Sequence, residues 1–200
     1  HDYRLLPVKP TLDGEPRYEG IPISQEPDND CFNDADVRQA AYWAVFAGAC
    51  GHTYGHHSIW QMRTEAKRRH AHDIPWFEAL DAPGGCQMRH LRALVESKPY
   101  YEGVPDQAIV LQPGEGAEHV RAFRGNGFAW VYAGVGQPVE VRLDRIGSGY
   151  VKAHWFDPRT GSVHDIGMFD TVQCAVHLFR PPSSGRGHDW VLVLEEVRND

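Results

Sequence analysis

Along the first hundred residues apolar positions recur at helical spacing, and along the second hundred they alternate with polar ones. Val37, Ala40, Ala41, Ala44 and Val45 form one stripe that Trp43 and Phe46 widen, so the spacing predicts a helix over 37–50, apolar almost all round and therefore buried. Asn33 or Asp34 can cap it near Ala35, because a short acceptor side chain satisfies the orphan amides of a first turn, and Gly48 and Gly51 end it. Before it, residues 4–11 read as extended, with Leu5, Leu6 and Val8 beside Pro7 and Pro10. They run into Asp13-Gly14-Glu15-Pro16, which is turn chemistry at the end of a strand. After the helix, residues 52–57 read as a short strand or strand end, 62–72 as a polar helical stretch and 75–80 as a short helix. Met88, Leu91, Leu94 and Val95 then predict a helix over 83–97. Strand, helix, strand, helix is the order of βα units, which need a parallel sheet of more than two strands to bury both faces.

Residues 99–105 break the helical pattern, and the expected domain boundary lies there, dividing the chain into 1–103 and 104–200. Downstream the period is two, over 108–111, 119–124, 128–133, 139–143, 150–157, 162–167, 174–179 and 190–195. Gly125-Asn126-Gly127 and Asp157-Pro158-Arg159-Thr160-Gly161 supply turns between them. Short strands at even spacing with no intervening helix predict an antiparallel β-sandwich. The fold class is thus α/β plus all-β. Trp130, Trp155 and Trp190 sit on strands of alternating polarity and read as core; the sharper reading is an exposed aromatic platform for polysaccharide.

Composition narrows the function classes. Two hundred residues, 42% of them hydrophobic, can bury a sizeable core. The formal net charge of -7 argues against nucleic acid, since phosphate contacts need a clustered basic surface, and the one basic run, Lys67-Arg68-Arg69-His70, reads as a solvated face. Cys31, Cys50, Cys86 and Cys174 are far apart and form no metal-knuckle spacing. No apolar run approaches the roughly 20 residues that span a bilayer, so no membrane partner is expected. The chain opens on His1 without a leader, so any targeting segment is expected outside these residues, and the chain reads as a piece of something longer. Asp144, Asp157, Asp165 and Asp170 are too scattered for a calcium loop.

The blocks Asp13-Gly14-Glu15-Pro16-Arg17-Tyr18-Glu19, Asp36-Val37-Arg38-Gln39-Ala40-Ala41-Tyr42-Trp43 and Gly51-His52-Thr53-Tyr54-Gly55-His56-His57 resemble the apiosidase-like glycoside hydrolases in order and spacing, covering roughly residues 7–98. The remainder, with Trp155-Phe156-Asp157-Pro158-Arg159-Thr160-Gly161 and Asp189-Trp190-Val191-Leu192, looks like the companion domain named for collagen binding in a collagenase. The resemblance implies the closing two units of a (β/α)8 barrel. A whole barrel takes about 250 residues, so its earlier units are the expected partners of this chain.

Glycoside hydrolysis ordinarily needs two carboxyl groups, about 5 to 5.5 Å apart for retention and about 6.5 to 9.5 Å for inversion. On spacing alone Glu15 is a turn glutamate; the resemblance makes it a catalytic carboxylate at a strand end, nucleophile or general base, with Gly14 easing the turn beneath it. Glu15 and Glu19 cannot be the pair, because four extended residues span about 13 Å. Glu19 is expected to orient the site, as a partner of Arg17 or Arg38, and the second carboxyl to lie on an earlier strand. His52, His56 and His57, with Tyr54 and Trp60, are expected beside Glu15 as a substrate-binding wall, imidazoles bonding sugar hydroxyls and aromatic faces stacking on a ring. Purely structural histidines remain the alternative. No metal and no cofactor are expected, as there is no H-E-x-x-H. The substrate implied is a polysaccharide or oligosaccharide of plant cell-wall type, met outside the cell or in the periplasm. The competing reading is a non-catalytic extracellular module that binds glycan or protein.

Overall fold

The computed structural model describes residues 2–25, 30–67 and 72–197. In chain order the elements are β1 (Leu12–Asp13), α1 (Asp34–Phe46), β2 (Gly51–His52), α2 (His57–Trp60), α3 (Pro83–Glu96) and β3 (Val104–Pro105). There follow β4 (Arg121–Gly125), β5 (Phe128–Ala133), β6 (Val139–Arg142), β7 (Tyr150–Phe156), β8 (Val163–Asp170), β9 (Val176–Phe179) and β10 (Trp190–Val197).

Among its described residues the first half holds one parallel strand pair, β1 with β2, in which Leu12 faces Gly51 and Asp13 faces His52. Two strands of two residues do not make a barrel. α1 joins them. Its start is a capping box: the Asn33 side chain accepts from the Ala35 and Asp36 amides, and Asp36 returns a bond to the Asn33 amide at 2.9 Å. It stops before Gly48, whose φ of +94° only glycine adopts readily. Of the polar stretch 62–72, the described residues 62–67 and 72 form no α-helix, and 68–71 lie outside the described residues. Met62 has φ +48°, and beyond it lies a single 3-10 turn, Glu65–Lys67, because this stretch has no apolar stripe to bury. Arg68, Arg69 and His70 of the basic run lie outside the described residues. The short helix expected at 75–80 is reduced to a 3-10 turn, Ala79–Asp81.

The second half is antiparallel. Six strands run in the order β3-β4-β5-β10-β7-β8, and β6 pairs with β9 beneath them. The strand expected at 108–111 is instead a 3-10 turn, Gln107–Ile109, with one bridge from Val110 to Val141. Ala122, Val131, Trp155, Trp190 and Leu192 face Val139, Val141 and Phe179 of the smaller sheet in one core. The opposite face, with Phe123, Phe128, Trp130, Tyr132 and Val193, is covered by Tyr42 and Phe46 of α1 and Leu91 and Leu94 of α3. Covered on both faces, β5 is buried at every residue. Trp130, Trp155 and Trp190 are all buried, so none of them forms an exposed platform.

A polar tie crosses between helices and sheet. Arg38 is fully buried, donates from Nε and Nη2 to Asp189 before β10, and reaches Asp34 at 2.7 Å and Gln87 of α3 at 2.6 Å. Tyr132 donates to the same Asp189 at 3.1 Å and stacks on Tyr42 at 4.9 Å. Among the described residues no helix is long and apolar enough to cross a membrane.

Candidate active site

The parallel ladder sets the site. Beyond the β1–β2 pair, the Thr53 amide donates to Asp13 at 3.0 Å; the ladder then lapses and resumes where Glu19 bridges His56, with Glu19 donating to Gly55 at 2.9 Å and His57 to Glu19 at 2.8 Å. Between the two contacts the first strand spends five residues, 14–18, where the second spends three, 53–55. Glu15 lies in this surplus, exposed. Gly14 is not what permits the turn. Its φ is not positive, and a Cβ there would meet nothing within 4 Å. Gly55 is the constrained one: a Cβ would press on the Tyr18 ring at 2.7 Å.

Glu15 is exposed and lines a cleft of about 810 Å³ together with Tyr18, Phe32, His57, Trp60 and Gln61. Trp60 is 57% exposed and meets Tyr18 edge-on at 6.4 Å and His57 at 6.2 Å. Arg17 also lines the cleft, with its guanidinium 5.4 Å from the centre of the Phe32 ring.

The structure thus brings Glu15, His57 and Trp60 to one place and holds His52, Tyr54, His56 and Glu19 away from it. Partners on a parallel ladder put their side chains on the same face, so His52 Nδ1 meets Asp13 at 2.9 Å. His52 and Tyr54 line a separate groove of about 530 Å³ against Met88, Arg92 and Tyr100. His56 is buried and caps α2, its Nδ1 accepting from the Ser58 amide at 3.1 Å. α2 begins at His57, and the change from strand to helix turns that ring towards the cleft. Both its ring nitrogens are nevertheless buried, with Nε2 3.8 Å from buried Asp73, which also lies 3.7 Å from Arg63. His57 therefore lines the cleft with its ring nitrogens buried, and the three imidazoles do not share one wall.

Glu19 is 6% exposed and pairs with neither Arg17 nor Arg38. Its carboxylate accepts from the Tyr54 hydroxyl at 2.7 Å and the Gly84 amide at 3.3 Å. Burial raises its pKa, against those hydrogen bonds. Burial also lowers the pKa of His52, against the pull of Asp13, and that of His56, where His57 adds to the effect. Among the described residues no group of three or more His, Cys, Asp or Glu could hold a metal ion. Phe32 and Gln61 escaped the sequence reading, since nothing local marks a phenylalanine before one helix and a glutamine after another as neighbours. An exposed carboxylate flanked by aromatic rings can meet both the hydroxyls and the apolar face of a sugar.

Over residues 1–102 the chain matches the family described as "Apiosidase-like, catalytic domain", and over 104–195 the one described as "Putative collagen-binding domain of a collagenase". No curated protein matches it. A solved structure described as a glycoside hydrolase is 38% identical, with a TM-score of 0.90 over 98% of this chain and 44% of that one. A glycoside hydrolase family 5 protein from Bacteroides vulgatus is 34% identical, with a TM-score of 0.91 over 98% of this chain and 43% of that one. The chain spans less than half the length of either. Its motif blocks, its match to the catalytic domain and its fold agree: the chain belongs to the apiosidase-like family of glycoside hydrolases.

Proposed function

We propose that the cleft beside β1 is part of the substrate site of a glycosidase whose full chain is longer, with Glu15 as one of two catalytic carboxylates. The carrying observation is that Glu15 is the one carboxylate among the described residues lining the cleft, set on a bulge past a parallel strand pair and faced by Trp60 and Tyr18. In this reading β1–α1 and β2–α3 are the closing two units of a (β/α)8 barrel, and an earlier strand supplies the second carboxyl group. Leu5, Leu6, Val8 and Leu12 support it, being more than half exposed on the segment that leads into β1, where neighbouring units would cover them. The antiparallel half, as a β-sandwich, braces the helices. The substrate is a complex glycan of plant cell-wall type, and a polymer of that size is met in an extracellular or periplasmic setting.

Glu15→Gln in the full-length protein tests the assignment. With soluble plant cell-wall polysaccharide and release of reducing ends as the readout, turnover falls by about 100-fold or more. Wild-type turnover in that variant would remove Glu15 from catalysis.

A further inference from the structure

We propose that Glu19 is a positioning residue for Glu15, tying the far end of the 14–18 bulge to the N-terminus of α3 and so fixing where Glu15 stands at the cleft. The proposal rests on the role given to Glu15 above.

The bulge is held at two points. At its near end the β1–β2 ladder and the Asp13–His52 pair fix Asp13. At its far end the backbone of Glu19 is bonded on both sides, to Gly55 and His57. Its side chain then reaches away from the cleft to α3. That helix has no side-chain cap of its own: Ala82 stands at the N-cap and Pro83 follows. The amide of Gly84 is one of the donors a helix start leaves orphaned, and the Glu19 carboxylate accepts it at the positive end of the helix dipole. Tyr54 supplies the second bond.

The two glycines at the start of α3 have the same explanation. Glycine is a poor helix former, yet Gly84 and Gly85 stand together in the first turn. A Cβ on Gly84 would overlap the Glu19 carboxylate and come within 2.5 Å of Val37, and one on Gly85 would lie 3.0 Å from the Tyr54 ring. The close approach of strand end and helix thus requires glycine at 84 and leaves a side chain at 85 tight against Tyr54. α3 is itself seated, through Leu91 and Leu94, in the core shared with the six-stranded sheet. Glu19 therefore braces a short strand end against a helix packed on the six-stranded sheet. It is the second glutamate of the motif, but it does not line the cleft and accepts its hydrogen bonds elsewhere.

The test measures kcat and KM of the full-length protein on soluble plant cell-wall polysaccharide for Glu19→Ala, Glu19→Gln, Tyr54→Phe and Gly84→Ala, with Arg92→Ala on the exposed side of α3 as control. A displaced Glu15 loses rate and not binding, so Glu19→Ala and Gly84→Ala lower kcat about tenfold or more while KM stays within about twofold. Glu19→Gln keeps an oxygen that can accept from Gly84 and stays within about threefold of wild type. Tyr54→Phe falls between the two, and Arg92→Ala is unchanged. Thermal melts show each variant folded at the assay temperature. Folded Glu19→Ala with wild-type kcat overturns the proposal, as does a loss of rate no larger than its unfolded fraction. Should Glu19→Ala not fold, Tyr54→Phe and Gly84→Ala decide by the same split of kcat from KM. Glu15→Gln separates the two claims: wild-type turnover there sinks the role of Glu15 itself, whereas an inactive Glu15→Gln beside an unaffected Glu19→Ala sinks only the inference about Glu19.

Discussion

Two glutamates four positions apart, Glu15 and Glu19, differ in nothing a sequence displays except their neighbours. Water separates them: Glu15 is exposed at the cleft and Glu19 is buried between a strand end and a helix start. Burial gives Glu19 a measurable signature. Its folded pKa is raised above the ordinary 4.5, so the folded state takes up a proton more readily than the unfolded chain. The stability this contributes is fully present below about pH 4.5 and is lost as pH rises through the raised value. Glu19→Gln does not titrate. The stability of wild type relative to Glu19→Gln, measured by urea unfolding, is therefore greatest near pH 4 and declines as pH rises; a flat difference would show that the bonds from Tyr54 and Gly84 cancel the effect of burial, and a growing one that they outweigh it. His52 and His56 act in the opposite sense, since burial lowers their pKa and their contribution is present above about pH 6.5 and lost as pH falls through the lowered values.

Elements whose information is local were legible. α1 follows from an apolar stripe and a cap at its start: it begins at Asp34, beside the expected start near Ala35, and ends at Phe46, short of the expected 50, ahead of Gly48. Because Asn33 satisfies two amides there, Asn33→Ala costs about 1 kcal/mol of unfolding free energy, read from denaturant melts, with KM and kcat unchanged. A loss below about 0.3 kcal/mol would mean the cap is replaced by water. Met88, Leu91, Leu94 and Val95 mark α3 in the sequence, yet the group that caps it stands 65 residues away at Glu19 and leaves no local trace. The helix expected over 62–72 is not formed at its described residues 62–67, because polar residues of fair helix propensity form a helix only when one face is buried.

At the scale of the whole molecule the two halves share a core. The helices of the first half lie on the aromatic face of the six-stranded sheet, and Arg38 with Asp189 pins them. Burial works against the Arg38 charge, but its bonds to Asp189 and Asp34 hold its pKa above the ordinary value. Asp189→Ala leaves that guanidinium buried without its main counterion and strips Tyr132 of its acceptor, so it destabilises the protein by about 3 to 5 kcal/mol. Arg38→Met combined with Asp189→Leu recovers part of the loss, since two apolar side chains need no pairing, while Tyr132 still lacks its acceptor. Thermal melts of the single and double variants check this, and a single variant within about 1 kcal/mol of wild type would show that water reaches the pair.

The sequence by itself determined what depends on neighbours along the chain: helical and alternating periods, the Asn33 cap, the turns, the antiparallel second half and a carboxylate just past a strand. Tertiary structure decided which side chains share a cleft. Two surplus residues in the 14–18 bulge and the onset of α2 at His57 change the direction in which successive side chains point, so a motif of seven residues is divided between a cleft, a groove and a buried cap. Contacts such as Glu19 with Gly84 or Arg38 with Asp189 join residues far apart in the chain, and only the packed core sets their distance.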